Sequence, residues 1–167
     1  MKRSSAIAGS LLLLFCFASF GFIGHAQTEQ NDSETLIKAA RFLEQKPLDK
    51  EAKKMRSWAI GWLTSTDKVS VSVCSLLLGV DKKYKYSGEL FGQYTIAMGA
   101  FKLSNPEKAQ DEDATQQAGV ESALISYEAI IAEQPKAKNA FMDDLLAKRS
   151  QGSLAAFVKE NNCKDKK

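Results

Sequence analysis

The sequence predicts an all-α single domain of six or seven helices, arranged as a bundle or as stacked helical hairpins. Three observations predict it. Apolar residues recur at spacings of three and four through most of 33–163. The three prolines, Pro47, Pro106 and Pro135, cut that pattern into helix-length pieces. No second convincing strand segment exists to pair with the one stretch that alternates like a strand.

The first helix starts at Asp32 or Ser33, either of which can cap it, and places Leu36, Ile37, Ala40 and Leu43 on one face before Pro47. Asp49 caps a second helix, with Leu48, Ala52, Met55, Ala59 and Trp62 forming an apolar stripe. Trp58 and Trp62 lie one turn apart and are expected to stack in the core. Ser65-Thr66-Asp67-Lys68 reads as a turn whose Asp67 caps the next helix.

Val69-Ser70-Val71-Ser72-Val73 alternates as a strand would, yet Val69, Val73, Leu76, Leu77 and Val80 also fit one helical side. A single strand would leave its backbone groups unpaired, so the segment is read as helix. After a basic linker over 81–86, Ser87 caps a long helix through Phe101, striped by Leu90, Tyr94, Ala97 and Phe101. Gly88, Gly92 and Gly99 share a face of it. Glycine is unfavourable inside helices, so that face implies close approach of a neighbouring helix or of a bound group, with packing the simpler account.

Asp113-Ala114-Thr115-Gln116 resembles a capping box. It opens a helix with Ala118, Ala123, Leu124, Tyr127, Ile130 and Ile131, stopped by Pro135. A further helix is expected over 137–149, carrying Phe141, Leu145 and Leu146 and ended by Gly152. Ser153 caps a last short one containing Leu154, Phe157 and Val158. The domain organisation is thus a leader over 27–32, a helical domain over 33–163 and a tail over 164–167.

Residues 1–26 have the pattern of a secretory signal peptide: Lys2 and Arg3, an apolar run from Ala6 to Ile23, then Gly24-His25-Ala26. A retained membrane anchor is the alternative for a run of this length, but Gly9, Ser10, Ser19, Gly21 and Gly24 break it up. A lipidated Cys16 would need a small residue before it and has Phe15. The brevity of the signal points to a bacterial source and a periplasmic or extracellular location. The membrane is then met only through the transient signal.

Cleavage after Ala26 removes the one histidine, His25, and the basic residues Lys2 and Arg3, taking the formal charge from +3 to +1. A nearly neutral chain gives no case for a nucleic-acid partner. Cys74 and Cys163 are the remaining cysteines, and in an oxidising compartment such a pair is expected to form a disulfide. Redox catalysis is disfavoured, since Cys-x-x-Cys spacing is absent.

Without histidine, Ser-His-Asp and Cys-His catalysis are excluded, as are zinc sites of the Cys/His type. No phosphate-binding glycine loop is present. Ser65-x-x-Lys68 matches the nucleophile motif of β-lactamases without its partner motifs. Glu107, Asp111, Glu112 and Asp113 cluster, but Gln116 and Ser122 occupy the positions where an EF-hand needs glycine and glutamate. Asp143 and Asp144 are adjacent on a helix and do not face each other across a cleft. Lys82, Lys83 and Lys85 alternate with Tyr84 and Tyr86, either a solvated linker or a small basic-aromatic patch. No catalytic residue, cofactor or metal is expected.

Tyr94, Met98, Phe101, Pro106 and Ala123, Tyr127, Ile130, Pro135 share one spacing. The second set resembles the second helix of a tetratricopeptide repeat, with Ile130 where a small residue is usual. The resemblance covers about half of one unit and implies stacked helical hairpins, not a ligand. The chain as a whole is similar to exported bacterial all-helical proteins, a likeness that carries no site residues. The expected function is a non-enzymatic one exercised through contacts with a protein partner. One alternative is a carrier of a small apolar ligand or lipid, with an interhelical pocket formed by Trp58, Trp62, Gly88, Phe91, Gly92, Met98 and Gly99. A carboxylate-dependent glycan or cell-wall hydrolase is the other.

Overall fold

A computed structural model describes residues 23–79 and 81–163, with side chains from Asn31 onward. Most of the expected signal peptide and the 164–167 tail lie outside the described residues. Among those described, the protein is all-α, with six α-helices and three short 3-10 turns. None of these helices is long and apolar enough to cross a membrane.

α1 (Ile23–Gln45) begins upstream of the start expected at Asp32 or Ser33, so residues 27–32 are helical instead of forming a leader. No proline interrupts 23–45, and Pro47 then closes the run. α2 (Ala52–Ser65) comes after a turn in which Asp49 Oδ1 accepts the Glu51 N–H at 2.8 Å.

The helix expected from Val69 onward does not form. Residues 69–74 are neither helix nor paired strand, and a single 3-10 turn comes next at Ser75–Leu77. Side chains, not a ladder, bind the backbone at Ser72 and Cys74. Cys74 N–H donates to Tyr94 Oη at 3.2 Å, and Gln116 Nε2 donates to the Ser72 carbonyl at 2.6 Å. Tyr94 Oη in turn donates to Gln116 Oε1. The segment is therefore a strap laid over α3 and α4, with Val69, Cys74, Leu77 and Leu78 buried. Asp67 has no helix to cap; Thr66 Oγ1 accepts the Lys68 N–H instead. Gly79 ends the strap at φ +49°, with the Phe141 ring 2.5 Å from where a Cβ would stand.

α3 (Ser87–Ser104) is the central helix, apolar on nearly every face. α4 (Glu112–Glu133) packs along it most extensively. The cap of α4 is Asp111, whose carboxylate accepts the Ala114 N–H at 3.0 Å, rather than Asp113. Gln116, expected in a capping box, is buried and holds the strap. α3 and α4 both end two residues before a proline that heads a 3-10 turn, Pro106–Lys108 and Pro135–Ala137. That turn displaces the start of α5 (Ala140–Ser150) from 137 to 140, where Asn139 caps it through the Phe141 and Met142 N–H groups. Gly152, at φ +72°, ends it and leads into α6 (Leu154–Asn161).

Two cores result. The larger joins α3, α4, α5, α6 and the strap around Leu90, Tyr94, Met98, Leu124, Tyr127, Met142 and Leu145. The smaller lies between α1, α2 and α3, around Leu36, Leu43, Ala59 and Ile96. Cys74 and Cys163 form the expected disulfide, with Cα atoms 5.6 Å apart, tying the strap to the end of α6.

Candidate functional site

An apolar groove lies between α2 and the first half of α3, with a volume of about 710 Å³. Ile60 and Gly61 of α2 form one wall; Gly88, Phe91, Gly92 and Thr95 of α3 form the other. The strap contributes Val73 at the edge. Val73 and Phe91 are 42% and 39% exposed, large values for apolar side chains, and mark the groove as open to solvent.

The backbone explains why a groove forms there. α2 buries little except Ala52 and Ala59, and Gly61 and Gly88 have no Cβ to fill the space between the helices. At Gly92 the helices do close: a Cβ there would stand 2.7 Å from Arg56 Cδ. Arg56 consequently lies along the groove, donating from Nη2 to the Pro47 carbonyl at 3.0 Å. Its Nε is buried and bonds to no described group. Burial pushes the Arg56 pKa down, opposed by Glu89. The charged groups lining the groove are Arg56 and Lys53, both basic.

The seven residues expected to form a ligand pocket separate. Gly88, Phe91 and Gly92 line the groove together. Trp58 and Trp62 stack on each other, centroids 6.5 Å apart and planes 19° from parallel, against the smaller core. Met98 is fully buried in the larger core, and Gly99 is filled from outside by Leu63 and Leu36. Gly92 and Gly99 thus sit where neighbouring side chains press on the helix, the packing account of the glycine face. Sequence reasoning missed Arg56, Ile60 and Val73. Their signal was weak, since Arg56 and Ile60 lie on α2 and Val73 on the strap, and only the fold brings both to the first half of α3.

Most of the other candidates have structural partners. Asp143 accepts a hydrogen bond from Tyr127 Oη at 2.7 Å, and Asp144 pairs with Lys148. Glu128 pairs with Arg149. Burial pushes the Glu121 carboxyl up, with Arg149 opposing. Tyr84 Oη donates to the Ala137 carbonyl at 2.6 Å, and Tyr86 is buried beneath Lys85. Asp111 caps α4, Glu112 pairs with Lys102, and Asp113 accepts from Asn162. Among the described residues, no three His, Cys, Asp or Glu side chains converge as metal ligands. Ser65 Oγ donates to helix carbonyls at Gly61 and Trp62.

The chain matches no family model, no curated protein and no solved structure.

Proposed function

We propose that this is an exported, non-enzymatic helical protein that acts by seating an apolar, acidic segment of a protein partner in the α2–α3 groove. The observation that carries the reading is the open apolar groove whose charged lining is wholly basic. An amphipathic helix or extended peptide could place apolar anchors on Phe91, Ile60 and Val73, with its carboxylates toward Lys53 and Arg56. The signal-type N-terminus and the disulfide support export to the periplasm or beyond.

A photo-crosslinking side chain at position 91, with a second protein carrying it at Ile125 as control, tests this. Ile125 is equally exposed but lies on α4. The expected result is an adduct from position 91 alone, mapped to one apolar, acidic segment and weakened by salt or by Lys53→Glu. Equal adducts at both positions, or none, would overturn the reading.

Carriage of a small apolar ligand is the second reading. The groove has the volume of a small-molecule site and is lined by three of the residues expected for one. Laurate binding that shifts the fluorescence of Trp58 and Trp62, without a protein adduct, would favour it.

A further inference from the structure

A second concavity lies where the strap crosses the end of α3 and the start of α4. It is about 310 Å³ and distinct from the groove. Ser70 and Ser72 of the strap, with Gln110 of the α3–α4 connection, are exposed around its mouth. Lys102 and Glu112 line its inner side. Lys68 also lines it but has an interaction of its own. The charge left in the wall is the Lys102–Glu112 pair, which sums to zero.

Neither member of that pair is fully bonded. The Lys102 side chain is 9% exposed, and its Nζ lies 2.6 Å from Glu112 Oε1. An ammonium carries three N–H donors. Glu112 supplies its one hydrogen-bond acceptor among the described residues, which leaves donors to spare. The other carboxylate oxygen, Glu112 Oε2, is buried and bonds to no described group. An unmet donor beside an unmet acceptor is costly until both are answered. An anion would answer the ammonium and be repelled by the carboxylate. A cation would do the reverse. A hydroxyl accepts through its lone pairs and donates through its O–H, so it answers both without bringing charge. The mouth offers two hydroxyls and an amide, groups that likewise both donate and accept. Gln116 Nε2, bonded to the Ser72 carbonyl at 2.6 Å, fixes the strap wall in advance.

We propose that this cleft binds a neutral polyol of the size of one monosaccharide. One ligand hydroxyl accepts from Lys102 Nζ and donates to Glu112 Oε2, and its other hydroxyls meet Ser70, Ser72 and Gln110. Binding turns the Glu112 carboxylate, whose side chain is 27% exposed, so that Oε2 faces the ligand. A space of this volume holds roughly ten waters, room for one sugar ring. The proposal does not rest on the groove reading.

The test is an amide chemical-shift titration of the disulfide-bonded protein with three sugars of one ring skeleton: glucose, which is neutral, glucuronate, an anion, and glucosamine, a cation. Glucose is expected to give saturable shifts confined to 68–72 and 102–112, and to bind most tightly of the three. Lys102→Met/Glu112→Gln, which removes the charge of both members, should keep the fold and weaken glucose at least tenfold. Ser70→Ala, a change at an exposed side chain that leaves the fold alone, should weaken it about threefold. No saturable shift with glucose, tighter binding of either charged sugar, or undiminished binding in either variant would each overturn the proposal.

Discussion

On its α4 side, α3 buries Leu90, Tyr94 and Met98 against Val120, Ala123, Leu124 and Tyr127. On its α2 side, the same helix presents Gly88, Phe91 and Thr95 to a helix whose buried residues are Ala52 and Ala59. The first interface is filled by large side chains and threaded with hydrogen bonds from buried tyrosines, and the strap laid over it is tied by the disulfide to the end of α6. The second is thin and leaves a groove. Tight packing concentrates stability on one side of the central helix, and the open surface is on the other. The strap bridges the two: Cys74 is locked into the larger core, while the adjacent Val73 stands at the groove edge.

Four experiments set the two sides against each other. The largest effect is expected from Cys74→Ala/Cys163→Ala. Opening a crosslink of sequence separation 89 should cost about 4 to 5 kcal/mol in the chain-entropy model, read as a lower midpoint in urea. If the strap gained nothing from the bridge, the midpoint would hardly move.

Next is a matched pair of truncations. Leu124→Ala, in the larger core, should cost about 3 kcal/mol, and Ile60→Ala, on the groove wall, under about 1 kcal/mol. Equal losses would erase the contrast between the two sides.

A smaller effect belongs to the tyrosines. Burial pushes the hydroxyls of Tyr94 and Tyr127 up to about 12. At Tyr94 the Cys74 hydrogen bond opposes the shift. At Tyr127 a bond to Asn139 opposes it, and Asp143 adds to it. The fold thus favours the neutral phenols. Their contribution is complete below pH 10, the unfolded value, and is lost as pH rises through about 12. Absorbance titration should show these two ionising last, with stability declining over that window. Tyr94→Phe should shrink the decline and cost about 1 to 3 kcal/mol at neutral pH, because Cys74 N–H loses its acceptor. Titration of both rings near pH 10 would contradict the packing described.

The smallest effect is expected at the groove itself. Phe91→Ser should change stability by about 0.5 kcal/mol, since Phe91 is 39% exposed and belongs to neither core, while abolishing the crosslinked partner contact. A large loss of stability would make Phe91 a core residue and remove the groove from consideration.

The sequence by itself determined the helical class, most helix ends and the disulfide. These have local causes: apolar spacing, prolines that remove a donor, Gly152 at a helix end, and two cysteines in a chain reading as exported. Tertiary structure alone decided the strap, the cap and the groove. Val69–Val73 satisfies both a helical and a strand period, and its state was settled by Tyr94 and Gln116, 20 and 44 residues away from the backbone groups they bind. Gln116 looks like a capping residue until the interior claims it, leaving Asp111 to cap α4. The glycine face told that something approaches α3, but not what. Arg56 fills the space at Gly92, Leu63 fills it at Gly99, and nothing fills it at Gly88. Local propensity acts over one turn of chain, whereas close packing is settled by whichever side chains the whole fold brings to the same place.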